Sequence, residues 1–443
     1  MPNNLGRVVV VGGGFAGLAA TTKLTQAGFH VTLVDRHPYT TFQPLLYQVA
    51  TGGLNPGDIT YALRRFVSNQ KGHLGHFRRG TVTGIDTENK IVHVTRGEDL
   101  PYDYLVLSQG VGAGYFGIEG AAEHTRSIYT RGAAIEVRDI IFSGLEHLAS
   151  AKDPDRRFTV AIVGGGPTGV EMAGALAEMK SEGLPVLYPE LHIDAFRVVM
   201  VEMSDTLLGP FDAKLRDYTI DELRLRGVDV RLNTAIEKVE PEQVTFKGGA
   251  TMDVDLVIWA AGVAAHPVVN DWGLPQGRGG RILVDEDLRV QGFSDVFAIG
   301  DAALIEKNPL PQLAQPALQQ GKHVAEQITH VRNGEPTEPF VYFDQGTMAT
   351  IARNAAVVQT EKIGPVPALK MTGFLGWLVW VVVHLRSLLG GRNRLQAMIN
   401  MAFRYLSWPK SATGIQGDVA DSPAVQARSG VRAEQADEDD GGE

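Results

Sequence analysis

RVVVVGGGFAGLAATTKLTQAGFHVTLVD, Arg7 to Asp35, is the stretch that decides the fold. Arg7 to Val11 is a β-branched apolar run of the kind found in a parallel strand buried on both faces. Gly12-Gly13-Gly14-Phe15-Ala16-Gly17 follows as a GxGxxG, and Leu18 to Ala27 reads as helix. A second strand, His30 to Val34, ends in Asp35. Gly12 allows the tight turn, Gly14 lets a pyrophosphate reach the backbone, and Gly17 lets helix pack on strand. The helix N-terminus offers free N–H groups and a partial positive charge to that anion. Asp35, 23 residues after Gly12, is placed to accept both ribose hydroxyls of an adenosine. A tight βα turn alone would explain the glycines. Strand, glycines, helix and acid together specify a dinucleotide site.

The pattern occurs again. Phe158 to Val163 is a strand, Gly164-Gly165-Gly166-Pro167-Thr168-Gly169 a second GxGxxG, and Val170 to Lys180 a helix. The next strand, Arg197 to Val201, ends in Glu202, and Ser181 to Ala195 either lengthens the helix or inserts a loop. Glu202 favours a free 2′-hydroxyl, and Met203, Ser204 and Asp205 offer no arginine for a 2′-phosphate, so NADH is expected over NADPH. Asp103 to Gly110 and Leu256 to Gly262 read as strands closing the two halves, and Ser294 to Asp301 as a return to the first. At that return Gly300-Asp301 suits a flavin. Asp301 can bond the ribityl chain, and a helix over about Pro311 to Ile328 can aim its positive end at the ring. The expected fold is α/β: two Rossmann-like dinucleotide-binding domains, the second inserted in the first. The boundaries are 1–115 with 290–345 for the first domain and 116–289 for the second.

Composition narrows the chemistry. The 443 residues contain no cysteine, which excludes a disulfide scaffold, thiolate metal centres and a redox-active CxxC, so any redox chemistry must reside in a bound cofactor. The net charge of −10 argues against a nucleic-acid partner. No HExxH is present, and His73 and His76 lie among glycines that suggest a loop, so no metal site is expected. Met1 to Arg7 lacks a signal-peptide shape, which points to the cytoplasmic side.

Local motifs identify a family resemblance. The double unit resembles the two-dinucleotide flavoprotein superfamily, whose disulfide reductases and sulfide:quinone oxidoreductases need cysteines. Phe42 to Tyr47 (FQPLLY), Gly164 to Glu171 (GGGPTGVE) and Ala314 to Gly321 (AQPALQQG) are together similar to type II NADH:quinone oxidoreductases, over residues 7 to about 408. Ser108-Gln109-Gly110 departs from the Ala-Thr-Gly turn common in the superfamily but keeps its glycine. The resemblance implies transfer of a hydride from NADH C4 to flavin N5, then of two electrons and protons to menaquinone or ubiquinone, without proton pumping. It implies non-covalent FAD held by Gly12, Gly14, Phe15, Ala16, Gly17, Asp35, Arg36, Gln43, Val82, Gln109, Gly110, Gly300, Asp301, Ala317 and Leu318. It assigns NADH to Gly164, Gly166, Pro167, Thr168, Gly169, Glu202, Ala261 and Gly262. Glu171 would position the nicotinamide or relay a proton, against the blander role of a first-turn acid favouring the helix dipole. Gln315 and Gln319, four apart on one helix face, would donate to a quinone carbonyl, or else bond to neighbouring loops. Lys370 would neutralise charge on reduced flavin or quinol, or else be a surface lysine.

From Lys362 to Gly417 there are seven basic residues and no acidic one. Gly373 to Leu385 is apolar, too short to span a bilayer, and only His384 in it could carry charge. A second helix, Leu395 to Trp408, has polar residues at helical spacing and is flanked by Arg392 and Arg394. Residues 346–408 therefore read as an amphipathic, monotopic membrane-associating region facing anionic lipid. A helix buried in the core or in a homodimer interface is the alternative. Residues 409–443 read as a disordered acidic tail. A soluble NADH:ferredoxin-type reductase and a flavoprotein redox sensor are the competing functions; AQPALQQG and the basic apolar C-terminus speak against the reductase.

Overall fold

The computed structural model describes residues 6–151, 155–362 and 367–402. The helices that matter below are, in chain order, α1 (Phe15–Ala27), α2 (Leu46–Ala50), α3 (Arg131–Ser150), α4 (Pro167–Glu178), α5 (Ala213–Leu225), α6 (Ala314–Asn333), α7 (Gly373–Ser387) and α8 (Gly391–Ala402).

The chain forms two compact units. The first contains the residues up to Thr41, Thr60–Gly114 and Val263–Gln345. Its parallel sheet has the order Val296–Ala298, Tyr104–Leu107, Arg7–Val11, His30–Asp35, Gly75–Arg79. Val9 lies between Thr32 and Leu105 in register, and Val8 to Val11 are buried, as a run without polar alternation requires. α1 packs back to back on α6. A Cβ on Gly321 would come 2.3 Å from the Ala16 carbonyl oxygen, so only glycine permits this approach.

The second unit contains Phe42–Ile59, Tyr115–Gly262 and the residues from Gly346 on. Its parallel sheet runs Asp229–Arg231, Phe196–Val201, Phe158–Val163, Leu256–Trp259. As in the first unit, the strand before the glycines sits between the strand that ends in an acid and the closing strand. The span between Gly164 and Glu202 is filled mainly by helix: α4 runs into a π-helical turn, Met179–Gly183, and a short helix, Leu184–Leu187. An antiparallel sheet, Thr347–Ala352, Ala355–Gln359 and Lys370–Thr372, packs on α4 and α7.

The two-domain α/β organisation matches the sequence reading, but the boundaries differ. Residues 42–59 belong to the second unit because Leu45, Leu46, Val49 and Ala50 are buried where α2 packs on α3 and α4. The return to the first unit comes at Val263 rather than at 290, because Ile282–Val284 pairs with Ala303–Ile305. Residues 346–402 are no separate body; they complete the second unit. The end of the expected second helix, with Arg404 and Trp408, and the acidic tail lie outside the described residues.

Candidate functional site

Each unit carries the same cradle. Gly12 (φ +101) turns against the Ser108–Gln109 backbone, and Gly164 (φ +112) against Ala260–Ala261. A Cβ would meet the Ser108 oxygen at 2.4 Å in one and the Ala260 carbonyl at 2.6 Å in the other. At Gly17 and Gly169 a Cβ would lie 1.9 Å from the carbonyl oxygens of Gly12 and Gly164. Around Gly14 and Gly166 nothing lies within 4 Å of where a Cβ would stand. The chain is thus compressed where helix meets strand and open where the helix N-terminus faces outward, the arrangement a pyrophosphate needs.

The acids repeat as well. Asp35 Oδ2 accepts the Gly13 N–H at 2.7 Å, and Oδ1 accepts the His37 N–H at 2.7 Å. Glu202 Oε2 accepts the Gly165 N–H at 2.5 Å, and Oε1 accepts the Ser204 N–H at 2.7 Å and the Ser204 hydroxyl. Each carboxylate is pinned to the middle glycine of its own turn, with its remaining lone pairs left for a ribose. Burial pushes Asp35 above its ordinary value, against the pull of the Gly13 and His37 N–H groups.

In the first unit both amide atoms of Gln109 are buried and make no hydrogen bond within the protein. Such a group calls for a polar ligand. It follows the strand Tyr104–Leu107, with Gly110 (φ +67) open beyond it. Asp301 stands on a 3₁₀ turn, Gly300–Ala302, and burial raises its carboxyl to about 6, with Arg281 opposing. Ala317 is buried, its Cβ near Gly300, and Leu318 is half-buried. Val82 is a buried strand residue paired with Val94, and Arg36 is exposed directly after Asp35. These residues fit FAD: an open helix N-terminus, a pinned ribose acid and an unsatisfied buried amide.

Several of the expected site residues have partners within the protein. Gln319 Nε2 donates to the Phe343 carbonyl at 2.9 Å, and its Oε1 accepts the Phe343 N–H at 3.0 Å. Its amide mimics backbone pairing and holds the segment after α6, the loop-bonding alternative. Gln315 remains half-buried one turn before it. The neighbouring Gln320, not singled out in the sequence, is buried and accepts the Gly300 N–H at 2.6 Å. Lys370 is no free cation either. Its Nζ pairs with Asp212 at 2.6 Å, and Asp212 caps α5 through Lys214 N. Gln43, in the second unit, donates to the Tyr129 carbonyl at 3.3 Å. His76 lies on the strand Gly75–Arg79 rather than in a loop, and among the described residues no cluster of His, Asp or Glu could hold a metal.

In the second unit Pro167 opens α4, Thr168 follows it, and the Ala261–Gly262 turn follows the closing strand Leu256–Trp259. Glu171 is buried among α4, the antiparallel sheet and α7. Its Oε1 accepts the Thr350 N–H at 3.3 Å, and burial drives its carboxyl up to about 8. The Trp380 indole N–H lies near enough to favour the carboxylate slightly but makes no hydrogen bond of ordinary geometry. Trp380 is fully buried, stacked on His384 at 4.0 Å, with Tyr47 at its edge. Burial pushes His384 down to about 4, so it is neutral, and its Nδ1–H donates to the Trp380 carbonyl at 2.8 Å. Asn400 Nδ2 on α8 donates to the buried Asp58 at 2.5 Å. The C-terminal helices are therefore sewn into the polar core of this unit. Their other faces expose Phe374, Leu375, Leu378 and Val382 on α7 and Leu395, Met398 and Ile399 on α8.

Residues 6–321 match the family described as pyridine nucleotide-disulphide oxidoreductase. The chain is 35% identical over 418 residues to the type II NADH:quinone oxidoreductase Ndh of Mycobacterium tuberculosis, covering 90% of this chain and 88% of that protein. It is 31% identical to the internal alternative NAD(P)H-ubiquinone oxidoreductase A1, mitochondrial, of Arabidopsis thaliana, covering 89% of this chain and 83% of that one. The solved structure of NDH2 from Plasmodium falciparum in complex with NADH superimposes with a TM-score of 0.81 at 20% identity, over 92% of this chain and 100% of that one.

Proposed function

Since the chain belongs to the type II NADH:quinone oxidoreductase family, we propose that its first unit holds FAD, its second holds NADH, and its electron acceptor is a membrane quinone, menaquinone or ubiquinone. The observation that carries this reading is the pair of identical cradles, each with its carboxylate pinned to the central glycine. When bound, FAD supplies the hydride acceptor and the two-electron relay between NADH and quinone. The protein's share is to bind, orient and regulate protons. α1 offers its N-terminal N–H groups to the FAD pyrophosphate, Asp35 its lone pairs to the adenosine ribose, and Gln109 its amide to the flavin half. α4 does the same for NADH, with Glu202 on the ribose. Glu171 holds a proton in a dry pocket at neutral pH and so can donate a hydrogen bond or a proton without bringing charge into the site.

Anaerobic mixing with NADH should bleach the bound flavin, and a soluble quinone should restore its colour. A flavin that NADH cannot reduce, or that quinone cannot reoxidise, overturns the reading. In the same experiment Glu202→Gln should narrow the preference for NADH over NADPH. A carboxylate about 4 Å from a 2′-phosphate, at an effective dielectric of about 20, repels it by roughly 4 kcal/mol before relaxation. An unchanged ratio removes Glu202 from the ribose.

Among the described residues no helix is long and apolar enough to cross a membrane. The outer faces of α7 and α8 combine exposed apolar residues with Arg386, Arg392 and Arg394 and no acid, which supports a peripheral seat on anionic lipid at the cytoplasmic face. The protein should float with anionic liposomes. Each arginine near the surface is worth about 1 kcal/mol and is screened by salt, whereas apolar burial at about 25 cal/mol per Å² is not. High salt should loosen binding only in part, and Leu378→Asp with Val382→Asp should abolish it. Protein that stays at the bottom of the gradient as a dimer would assign this face to a second copy instead.

A further inference from the structure

The turn Gly300–Ala302 is shaped from outside itself. Gly300 is left-handed (φ +67), and a Cβ on it would come 3.1 Å from Ala16 Cβ and 3.5 Å from Ala317 Cβ, so the turn is wedged between the first turns of α1 and α6. Three side chains then hold its backbone. Gln320 accepts the Gly300 N–H at 2.6 Å. Arg281 donates Nε–H to the Asp301 carbonyl at 3.0 Å and an Nη2–H to the Ala303 carbonyl. Gln312 Nε2 reaches the same Asp301 carbonyl at 3.4 Å. The parallel pairing Ile282↔Ala303 and Leu283↔Leu304 sets Arg281 beside the turn. Arg281 and Gln312 lie outside every motif that marks the fold.

We propose that Arg281 is a positioning residue for the flavin: its planar fork fixes the backbone of Asp301 and Ala303, so that the Asp301 side chain is set to receive the ribityl hydroxyls. This rests on the reading of the first unit as the FAD-binding one. A guanidinium can span two carbonyls at once; a lysine ammonium supplies the charge without the fork. The groups packed on the turn are Ala16 of α1, Ala317 and Gln320 of α6, and Gln312. Arg281 is the charged side chain whose field reaches Asp301. Burial alone would lift Asp301 further; with Arg281 opposing, it stands at about 6. An ionised Asp301 accepts hydrogen bonds freely and a protonated one does so poorly. FAD affinity is therefore full above that value and falls as pH drops through it. Without the arginine the fall begins at higher pH.

The test is the FAD dissociation constant, read from flavin fluorescence, across about pH 5 to 8 for wild type, Arg281→Met and Arg281→Lys. Arg281→Met should weaken binding roughly tenfold to a hundredfold at the alkaline end and move the acid-induced loss to higher pH. Arg281→Lys should bind weakly yet lose FAD near the wild-type pH, because charge is restored and the fork is not. Asp301→Asn should flatten the pH dependence. A Met variant that binds as wild type, or that loses the same factor at every pH with an unmoved midpoint, overturns the proposal. A wild-type chain that takes up no FAD overturns the flavin reading itself.

Discussion

Glu171→Gln should make the protein more stable at pH 8 than wild type, and hardly more stable at pH 4.5. The folded carboxyl is held at about 8 by burial, whereas its ordinary value is 4.5. Between these values the native state keeps a proton that the unfolded chain has released. Native stability therefore falls as pH rises from 4.5 to 8, and the loss is complete above 8. At about 1.4 kcal/mol per pH unit, the penalty at neutral pH is on the order of 3 kcal/mol. Glutamine fills nearly the same volume and cannot ionise, so it removes the penalty without opening a cavity. Melting midpoints of the two proteins measured across this range should diverge steadily and then run parallel. Curves parallel throughout would mean that Glu171 is wet and normal.

Trp380→Ala should act on the same pocket in the opposite direction. Trp380 is 0% exposed and its ring lies between His384 and Tyr47, so truncation leaves a large cavity and costs about 3–5 kcal/mol. The midpoint should fall by roughly 3–5 °C, since unfolding entropy scales with chain length. Water entering the cavity should bring Glu171 back toward its ordinary value, so any step that needs its proton should fail at lower pH than in wild type. Trp380→Phe keeps most of the packing and should lose only a fraction of the stability. An alanine variant that melts like wild type would show that the ring is not in the core.

How much of this was legible beforehand follows from which interactions are local. The two cradles were readable because they depend on steric rules between residues a few positions apart: Gly12 with Gly17, Gly164 with Gly169. Asp35 and Glu202 were readable because a strand's end fixes where its last side chain stands. The pairing of Lys370 is not legible because its partner, Asp212, is 158 residues away, and no periodicity announces an ion pair. The two roles open to Gln319 are not separable in the sequence, because an amide that binds a ligand and one that mimics a strand look the same there; the position of Phe343 is what shows the second. Gln320 lies in the same AQPALQQG run as Gln319, yet nothing in the run marks it as the buried one. A one-residue step on a helix turns a side chain by about 100°, so position in a motif does not say which face is buried. The excursion of residues 42–59 was invisible for a similar reason, since an apolar run does not name the domain that will bury it.

The two-sidedness of α7 has a consequence for how such a chain can change. Its inner face supplies Trp377 and Trp380 to the interior, while its outer face carries the exposed Phe374, Leu375 and Leu378. The segment is therefore not portable. Fused to another protein it would present two greasy sides and no scaffold to hide one of them. Removed from its own, it would leave an open wound beside Glu171. A variant that gives up the outer surface must rewrite that face residue by residue and keep the helix. The outer surface of α7 and the packing around Glu171 therefore cannot be changed independently by deleting the helix.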